Sequence, residues 1–498
     1  MLRSYSGQLR GKVAHVSVLP ATLGLVMSAL LLSAQTRMPP RMMRTMSADP
    51  ADPASNLVRV QAFLTTTSSA VDLTLGGAEW ANAVSEDASV RVIIDGATVH
   101  VTRKSSGEID IPLDMILGSV LAGGTLSWTL TPVSPGTSAL EMFNANVAST
   151  RLVDRFDGGT SVGNFTTSAD LLREGGPLSA VPRTREHLVV AFFYPWWTLD
   201  SWTNDPQIHD SPVPQYSTDN PADLQQIMST AKSTGLDALV VTWSGKDTDG
   251  GIHHQRMLRC LTAAGQAGFK VAALLETTRA NPQHVDGDAD PDTVLQELSD
   301  IVDDYASQAS YLRVENRPVV MAYAAQRLTQ ADWKDALGRL RASGRDVLLV
   351  GEGSNNTRLG AMDGQFYYPS NDQPGDGIRT FDRVQGLNVR TYHLLPGDTI
   401  GRRVWAATVS PGYDDTHIND GRVPRVTDRA NGAYYKTQWQ AALDNRADWI
   451  AITSWNEYFE NTEIEATKLY GSVYLDLTKS TAAMFRSLNP VAASRPGR

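Results

Sequence analysis

From residue 187 onward the chain repeats one unit, a short uninterrupted apolar run followed by a longer stretch with helical periodicity. His187-Leu188-Val189-Val190-Ala191-Phe192-Phe193 is the first such run, and others recur at 238–242, 271–275, 318–322, 347–350, 364–368, 404–409 and 449–453. Between most of them lie helical patterns. One starts at Asn220-Pro221, with Asn at the cap and Pro in the first turn, and ends at about Thr234 before Gly235. Others cover 254–267, 291–307, 330–343 and 434–445, and a last one covers 474–488. Strands without polar alternation are those buried on both faces, the condition of a parallel sheet covered by helices. Eight such units predict a (β/α)8 barrel over 187–490. A doubly wound sheet is the alternative, weakened because no Gly-rich phosphate loop follows an early strand.

The region ahead of the barrel has a different grain. Residues 56–157 carry short alternating runs, such as Val90-Arg91-Val92-Ile93-Ile94, with a hairpin signal at Asp95-Gly96. They predict a small β-sandwich-like domain, joined to the barrel by a connector over 158–186. It can bind carbohydrate or serve as a packing element or spacer; the lack of a clustered aromatic face favours the latter. Arg3, Arg10 and Lys12 precede a mostly apolar run over 16–32, so residues 1–34 read as a signal peptide or signal anchor. The run is near the minimum for a membrane span, which leaves cleavage and anchoring both open. Residues 35–55 are a linker without periodicity, and 491–498 a tail. The expected location is therefore secreted or tethered to the outer face of the cytoplasmic membrane, and a monomer is expected.

Composition excludes some classes. Lys plus Arg number 44 against 54 Asp plus Glu, a net charge of −10, with no basic run outside the N-terminus; a nucleic-acid partner is not expected. Cys260 is the single cysteine, so no intrachain disulfide can form, and its place in a helical pattern suits a buried small hydrophobe. The nine His show no metal-ligand spacing, no G-x-S-x-G elbow for a serine nucleophile is present, and no cofactor is expected.

Enzymes on such barrels work at the carboxyl ends of the strands. The residues just past each predicted strand are Tyr194 and Trp196; Trp243; Glu276; Tyr323; Glu352; Tyr367 and Tyr368; Tyr413, Asp414 and Asp415; and Asn456, Glu457 and Glu460. Together they describe a cleft walled by aromatic rings and carboxylates, suited to a polysaccharide. Glu457 and Glu460 stand three apart, and two carboxyl groups beside one sugar are the minimum for glycosidic chemistry, one giving a proton and the other taking one. The alternative for each is a strand-end residue satisfied by solvent.

With those residues in place, the stretch over roughly 187–490 resembles glycoside hydrolase family 99, the endo-acting α-mannosidases and α-mannanases. The strand-one motif is Phe192-Phe193-Tyr194-Pro195-Trp196-Trp197, the strand-two motif Val240-Val241-Thr242-Trp243-Ser244-Gly245. Pro411-Gly412-Tyr413-Asp414-Asp415-Thr416-His417-Ile418-Asn419, Asn431-Gly432-Ala433-Tyr434-Tyr435 and Trp455 to Glu465 complete the set in order. Four places depart from the family: Phe459 stands for its His, Asn461 for its Gly, Ser244 for its second strand-two Trp, and Leu275-Glu276-Thr277-Thr278 for its I-E-P-Y. The resemblance implies retention of configuration without a protein–sugar bond. Glu457 would take the proton of the sugar 2-hydroxyl, which closes a 1,2-anhydro ring. Glu460 would protonate the leaving oxygen and then activate water. Trp196 and Trp243 would stack on sugars, Tyr323 and Tyr413 would bond hydroxyls, Glu276 would orient one, and Tyr194 and Asn456 would complete the substrate site. The expected function is an exported endo-acting α-glycosidase of an α-mannan or mannose-containing glycan. A non-catalytic glycan-binding or envelope scaffold, or a hydrolase of another α-glucan or envelope polysaccharide, are the alternatives.

Overall fold

A computed structural model describes residues 56–488, apart from 86, 88, 105–106, 145–150, 174–186, 278–289, 373–376, 396, 402, 419–420 and 422. The export segment, the linker, part of the connector, the tail, Thr278 and Asn419 lie outside the described residues.

Eight parallel strands close on themselves in chain order. They are Val189–Phe193, Ala238–Trp243, Lys270–Glu276, Arg317–Tyr323, Leu348–Glu352, Gly364–Phe366, Val404–Val409 and Trp449–Ile452. Each pairs with the next, and the eighth pairs with the first through Val190 and Ala451. The barrel and its preceding sheets are thus as expected, and the doubly wound alternative is excluded by closure.

Strand alternation sorts the side chains into two cores. Val190, Phe192, Val240, Leu274, Met321, Val350, Phe366, Ala406 and Ala451 fill the barrel interior. Ala191, Phe193, Val241, Ala273, Ala322, Leu349, Ala407 and Ile452 face outward under the helices. Fully burying a side chain such as Leu, Val or Phe contributes roughly 1.5–3 kcal/mol, which is why the strands read as unbroken apolar runs.

The helices after strands one to four are Pro221–Ser233, Ile252–Ala267, Pro291–Asp304 and Gln330–Ala342. Asn220 caps the first by accepting from the Ala222 N–H, and Thr329 with Asp332 forms a capping box on the fourth. No helix joins strands five and six, where 353–363 is irregular. Gly377–Thr391 follows strand six, Ala433–Asp444 strand seven and Val473–Leu488 strand eight.

Two five-stranded antiparallel sheets precede the barrel and share one core that includes Trp80, Trp128, Leu73 and Leu113. The β domain runs past Asp157, because Gly163–Ser168 pairs with Thr125–Pro132 and Ala169–Arg173 forms a short helix. The connector is correspondingly shorter than the break in sequence pattern suggests.

The β domain docks where the barrel lacks its fifth helix. Asn82 donates to the Asn388 carbonyl at 2.9 Å, and its oxygen accepts from Asn356 at 2.8 Å. Asn356 also donates to the Ala83 carbonyl, and Thr391 to that of Ala81. All are buried, and Leu57, Ala81 and Ile116 join the barrel's outer core. An ion pair between Arg383 and Glu79 closes the edge.

Candidate active site

The ends of strands one and eight are spliced together. Trp455 N–H donates to the Phe192 carbonyl at 2.8 Å. One residue on, the Asn456 side chain takes both backbone groups of Tyr194: Oδ1 accepts from its N–H at 2.8 Å and Nδ2 donates to its carbonyl at 3.0 Å. Nδ2 also donates to the Tyr216 hydroxyl. Asn456 is 0% exposed. It therefore cannot touch a sugar, and its place in the substrate site is corrected to that of a clamp beneath it.

Alternation decides which strand-end side chains enter the mouth. Continuing the inward series gives Tyr194, Thr242, Glu276, Tyr323, Glu352 and Tyr368. Trp243 belongs to the outward series with Leu239 and Val241. It is fully buried in the outer core and donates from Nε1 to the Tyr305 hydroxyl at 3.1 Å. Its expected stacking on sugar is thereby corrected: strand two extends one residue further than its apolar run, and parity sends the indole away from the cleft.

The remaining candidates converge. The Tyr194 and Tyr368 hydroxyls are 2.5 Å apart. Burial raises the Tyr194 phenol first, and the charges of Glu457, Glu460 and Glu276 raise it further. Burial likewise raises Tyr323, followed by Glu352, Glu276 and Glu460. Tyr413 is raised by burial and then by Glu460, while it donates to Asp415 at 3.0 Å. Trp196 packs on Tyr194 at 4.8 Å between ring centroids, and its buried Nε1 has no protein acceptor among the described residues.

Glu457 is 5% exposed and Glu460 is half-buried. Burial pushes the Glu457 carboxyl well above the ordinary range, and the neighbouring Glu460 charge pushes it further. The Phe459 N–H donates to it at 3.1 Å, while its own N–H is held by Ser454. Asp414 N–H donates to the Glu460 carbonyl at 2.9 Å, tying the loops after strands seven and eight. Glu276 is raised by burial and accepts from Thr242 at 2.7 Å.

The other two carboxylates of the last motif lie behind the site. Glu463 is fully buried against Arg429 at 2.6 Å, and Glu465 accepts from Tyr216 and Tyr458 at 2.7 and 2.8 Å. Burial raises them to about 7 and about 8 respectively. Asn461 holds a left-handed backbone, φ 48°. Asn tolerates that conformation better than most residues other than Gly, so its replacement of the family's Gly preserves the loop path. Phe459 packs on Trp197 at 4.9 Å.

Glu352 and Tyr368, strand-end residues to which the motifs assign no substrate or catalytic role, both stand in the mouth. Burial pushes Glu352 up to about 7, and it accepts from the Ala324 N–H at 2.6 Å. Arg327, on the turn Ala325–Arg327, lowers both Glu276 and Glu352 by its charge. Nothing in the strand pattern marks it, since it lies beyond the strand end. Among the described residues, no cluster of three or more His, Cys, Asp or Glu is arranged to hold a metal ion.

A carboxylate pair, one member buried and the other half-buried, at the carboxyl end of a (β/α)8 barrel walled by tyrosines is the equipment of a glycoside hydrolase. Residues 207–489 match the family model of glycosyl hydrolase family 99, and the chain belongs to that family. It is 26% identical over 382 residues to a mouse glycoprotein endo-alpha-1,2-mannosidase-like protein, covering 62% of this chain and 80% of that one. To the mouse glycoprotein endo-alpha-1,2-mannosidase it is 23% identical over 354 residues, covering 60% and 72%. A solved family-99 endo-alpha-mannosidase from Bacteroides thetaiotaomicron shares the fold, with a TM-score of 0.51 at 23% identity; the overlap covers 61% of this chain and 99% of that one.

Proposed function

We propose that this glycoside hydrolase cuts within an α-mannan or mannose-containing glycan, with retention, through a 1,2-anhydro sugar. The observation that carries the reading is the Glu457–Glu460 pair, in which burial and then the neighbour's charge raise the proton affinity of Glu457. Such a pair titrates as a unit and keeps one proton between two sites. In the sugar-free site that proton is favoured on Glu457. A 2-hydroxyl donating to Glu457 stabilises its carboxylate and shifts the proton to Glu460, beside the leaving oxygen. Glu457 then withdraws the 2-hydroxyl proton as O2 closes on the anomeric carbon, and Glu460 gives its proton to the departing oxygen. Water, deprotonated by Glu460, opens the ring at the anomeric carbon, and the proton on Glu457 returns to O2. The axial 2-hydroxyl of mannose lies trans to an α-linked leaving group, which suits this closure.

Tyr194, Trp196, Glu276, Tyr323 and Tyr413 provide the sugar contacts in this proposal. The relatives named as mannosidases support mannose as the sugar. The test is reducing-end release with product sizing from α-mannans, α-glucans and envelope glycans, with wild type beside Glu460→Gln. Oligosaccharides from a mannan, absent with the variant, are expected. Release from a non-mannose glycan alone, or equal release by the variant, overturns the reading.

We further propose that residues 1–34 direct export and that the enzyme acts as a monomer outside the cytoplasmic membrane. Arg3, Arg10 and Lys12 ahead of the apolar run support it. Among the described residues no helix is long and apolar enough to cross a membrane. Fractionation of cells expressing the full chain tests this, and recovery in the cytoplasm alone overturns it.

A further inference from the structure

A second cleft, of about 670 Å³, lies along the seam between the β domain and the barrel. Its floor on the β side is the edge strand Val90–Asp95 and the end of its neighbour Thr98–Arg103. Its barrel side is Thr329 to Ala331 and Asn356 to Arg358, beside the gap left by the missing fifth helix. The volume falls in the range of small-molecule sites, about 300–1,000 Å³.

The charge of this cleft is opposite to that of the chain. Among the described residues, Arg91, Arg103, Lys104 and Arg358 line it against one carboxylate, Asp87, whereas the protein carries −10 overall. Asp87 is engaged with Ser89, which donates to it from backbone and hydroxyl at 2.8 Å. Arg358 is spent on the Leu328 and Gln326 carbonyls and Thr357. The other three cations have no carboxylate partner among the described residues. Arg103 is 8% exposed; its Nε donates to the Ser68 carbonyl, and its Nη1 is buried without an acceptor. Its guanidinium therefore contributes charge behind the cleft wall. Thr102 adds an exposed hydroxyl, while Thr329, Asn356 and Thr357 line the cleft with groups already bonded to Asp332, to Asn82 and Ala83, and to Asn355.

We propose that this seam is a second binding site, for a sugar unit bearing an anionic substituent such as phosphate or carboxylate. Arg91 and Lys104 recognise the charge, with the buried charge of Arg103 behind them, and the exposed Thr102 hydroxyl meets the sugar. The proposal goes beyond the reaction at Glu457 and Glu460, uses none of the residues assigned to it, and is tested without turnover.

The experiment is calorimetric titration at low salt of the full chain carrying Glu460→Gln, with mannose 6-phosphate, glucuronate, uncharged mannose and inorganic phosphate in separate runs. The same runs follow on a chain that also carries Arg91→Gln and Lys104→Gln, both exposed positions that leave the folded core untouched. Binding of at least one charged sugar, tighter than mannose and tighter than phosphate, is expected, with a loss of about tenfold or more in the double variant. The two charged sugars tell phosphate from carboxylate. Equal binding of charged and uncharged sugar, phosphate binding as tightly as any sugar, unchanged affinity in the double variant, or no binding of either charged sugar would each overturn it.

Discussion

Asn456 holds the backbone of Tyr194 from both sides, accepting from its N–H at 2.8 Å and donating to its carbonyl at 3.0 Å. A side-chain amide thereby continues the ladder between barrel strands eight and one past the point where the backbones part. It fixes Tyr194 under the carboxylates and sets Glu457, its neighbour in sequence, above the clamp.

Asn456→Ala is expected to remove both bonds and leave two buried backbone groups without partners, at about 1–3 kcal/mol each. Urea unfolding should show that loss, with a fall in kcat larger than any change in KM because the carboxylate pair is displaced relative to bound sugar. Asn456→Asp keeps the acceptor and loses the donor, and should fall between. Unchanged stability in Asn456→Ala would remove the clamp from the account.

The two tryptophans first paired as sugar platforms part company. Trp243 is bonded to Tyr305 in the outer core, while Trp196 packs on Tyr194 at the mouth. Trp243→Phe is expected to lower the melting temperature and leave kcat and KM as they were. Trp196→Phe should leave stability nearly intact and raise KM several-fold, aromatic contacts of this kind being worth about 0.5–1.5 kcal/mol. Steady-state kinetics beside thermal unfolding decides, and a KM effect from Trp243→Phe would restore it to the cleft.

Much of this barrel was legible because strands buried on both faces cannot hide their apolar runs. What was lost was lost for local reasons. Trp243 was misplaced by parity, since one extra strand residue reverses the direction of a side chain. Helix Gly377–Thr391 went unread because Asp382, Gln385, Asn388 and Arg390 are buried in it, where periodicity expects apolar residues. The β domain explains part of this: Asn82 bonds the Asn388 carbonyl, a contact between residues far apart in sequence. Glu457 and Glu460 were legible from spacing and motif, but the burial that separates them from Glu463 and Glu465 was not.

Asn461 tests how a departure from the family motif is accommodated. It sits at φ 48° and donates from its side chain to the Asp414 carbonyl at 3.1 Å. Asn461→Gly should change stability by no more than about 1 kcal/mol, exchanging one hydrogen bond for a backbone at ease. Asn461→Val has neither advantage and should cost about 1–2 kcal/mol for the left-handed conformation alone, plus the lost bond. Denaturant unfolding of the two variants measures the difference, and equal stabilities would deny that the backbone conformation constrains this position.

The carboxylate pair makes a specific demand on the pH dependence of activity. Glu457 is raised above the ordinary glutamate value of about 4.3 by burial, then by Glu460, with Glu276 adding to it. Turnover needs one proton on the pair, so activity is lost as pH rises through the raised value, and on the acid side as the second carboxyl is protonated. The kcat/KM profile should therefore be a bell whose alkaline limb lies well above the usual carboxylate range. Glu276→Gln removes a charge that raises Glu457, and should move that limb to lower pH whatever it does to the height of the profile. Glu352 is itself pushed up to about 7, yet its charge is not among the main causes acting on Glu457. Glu352→Gln should accordingly leave the limb in place. A limb that moves with Glu352→Gln and not with Glu276→Gln would assign the essential proton to Glu352, and the two-carboxylate mechanism would have to be rebuilt around it.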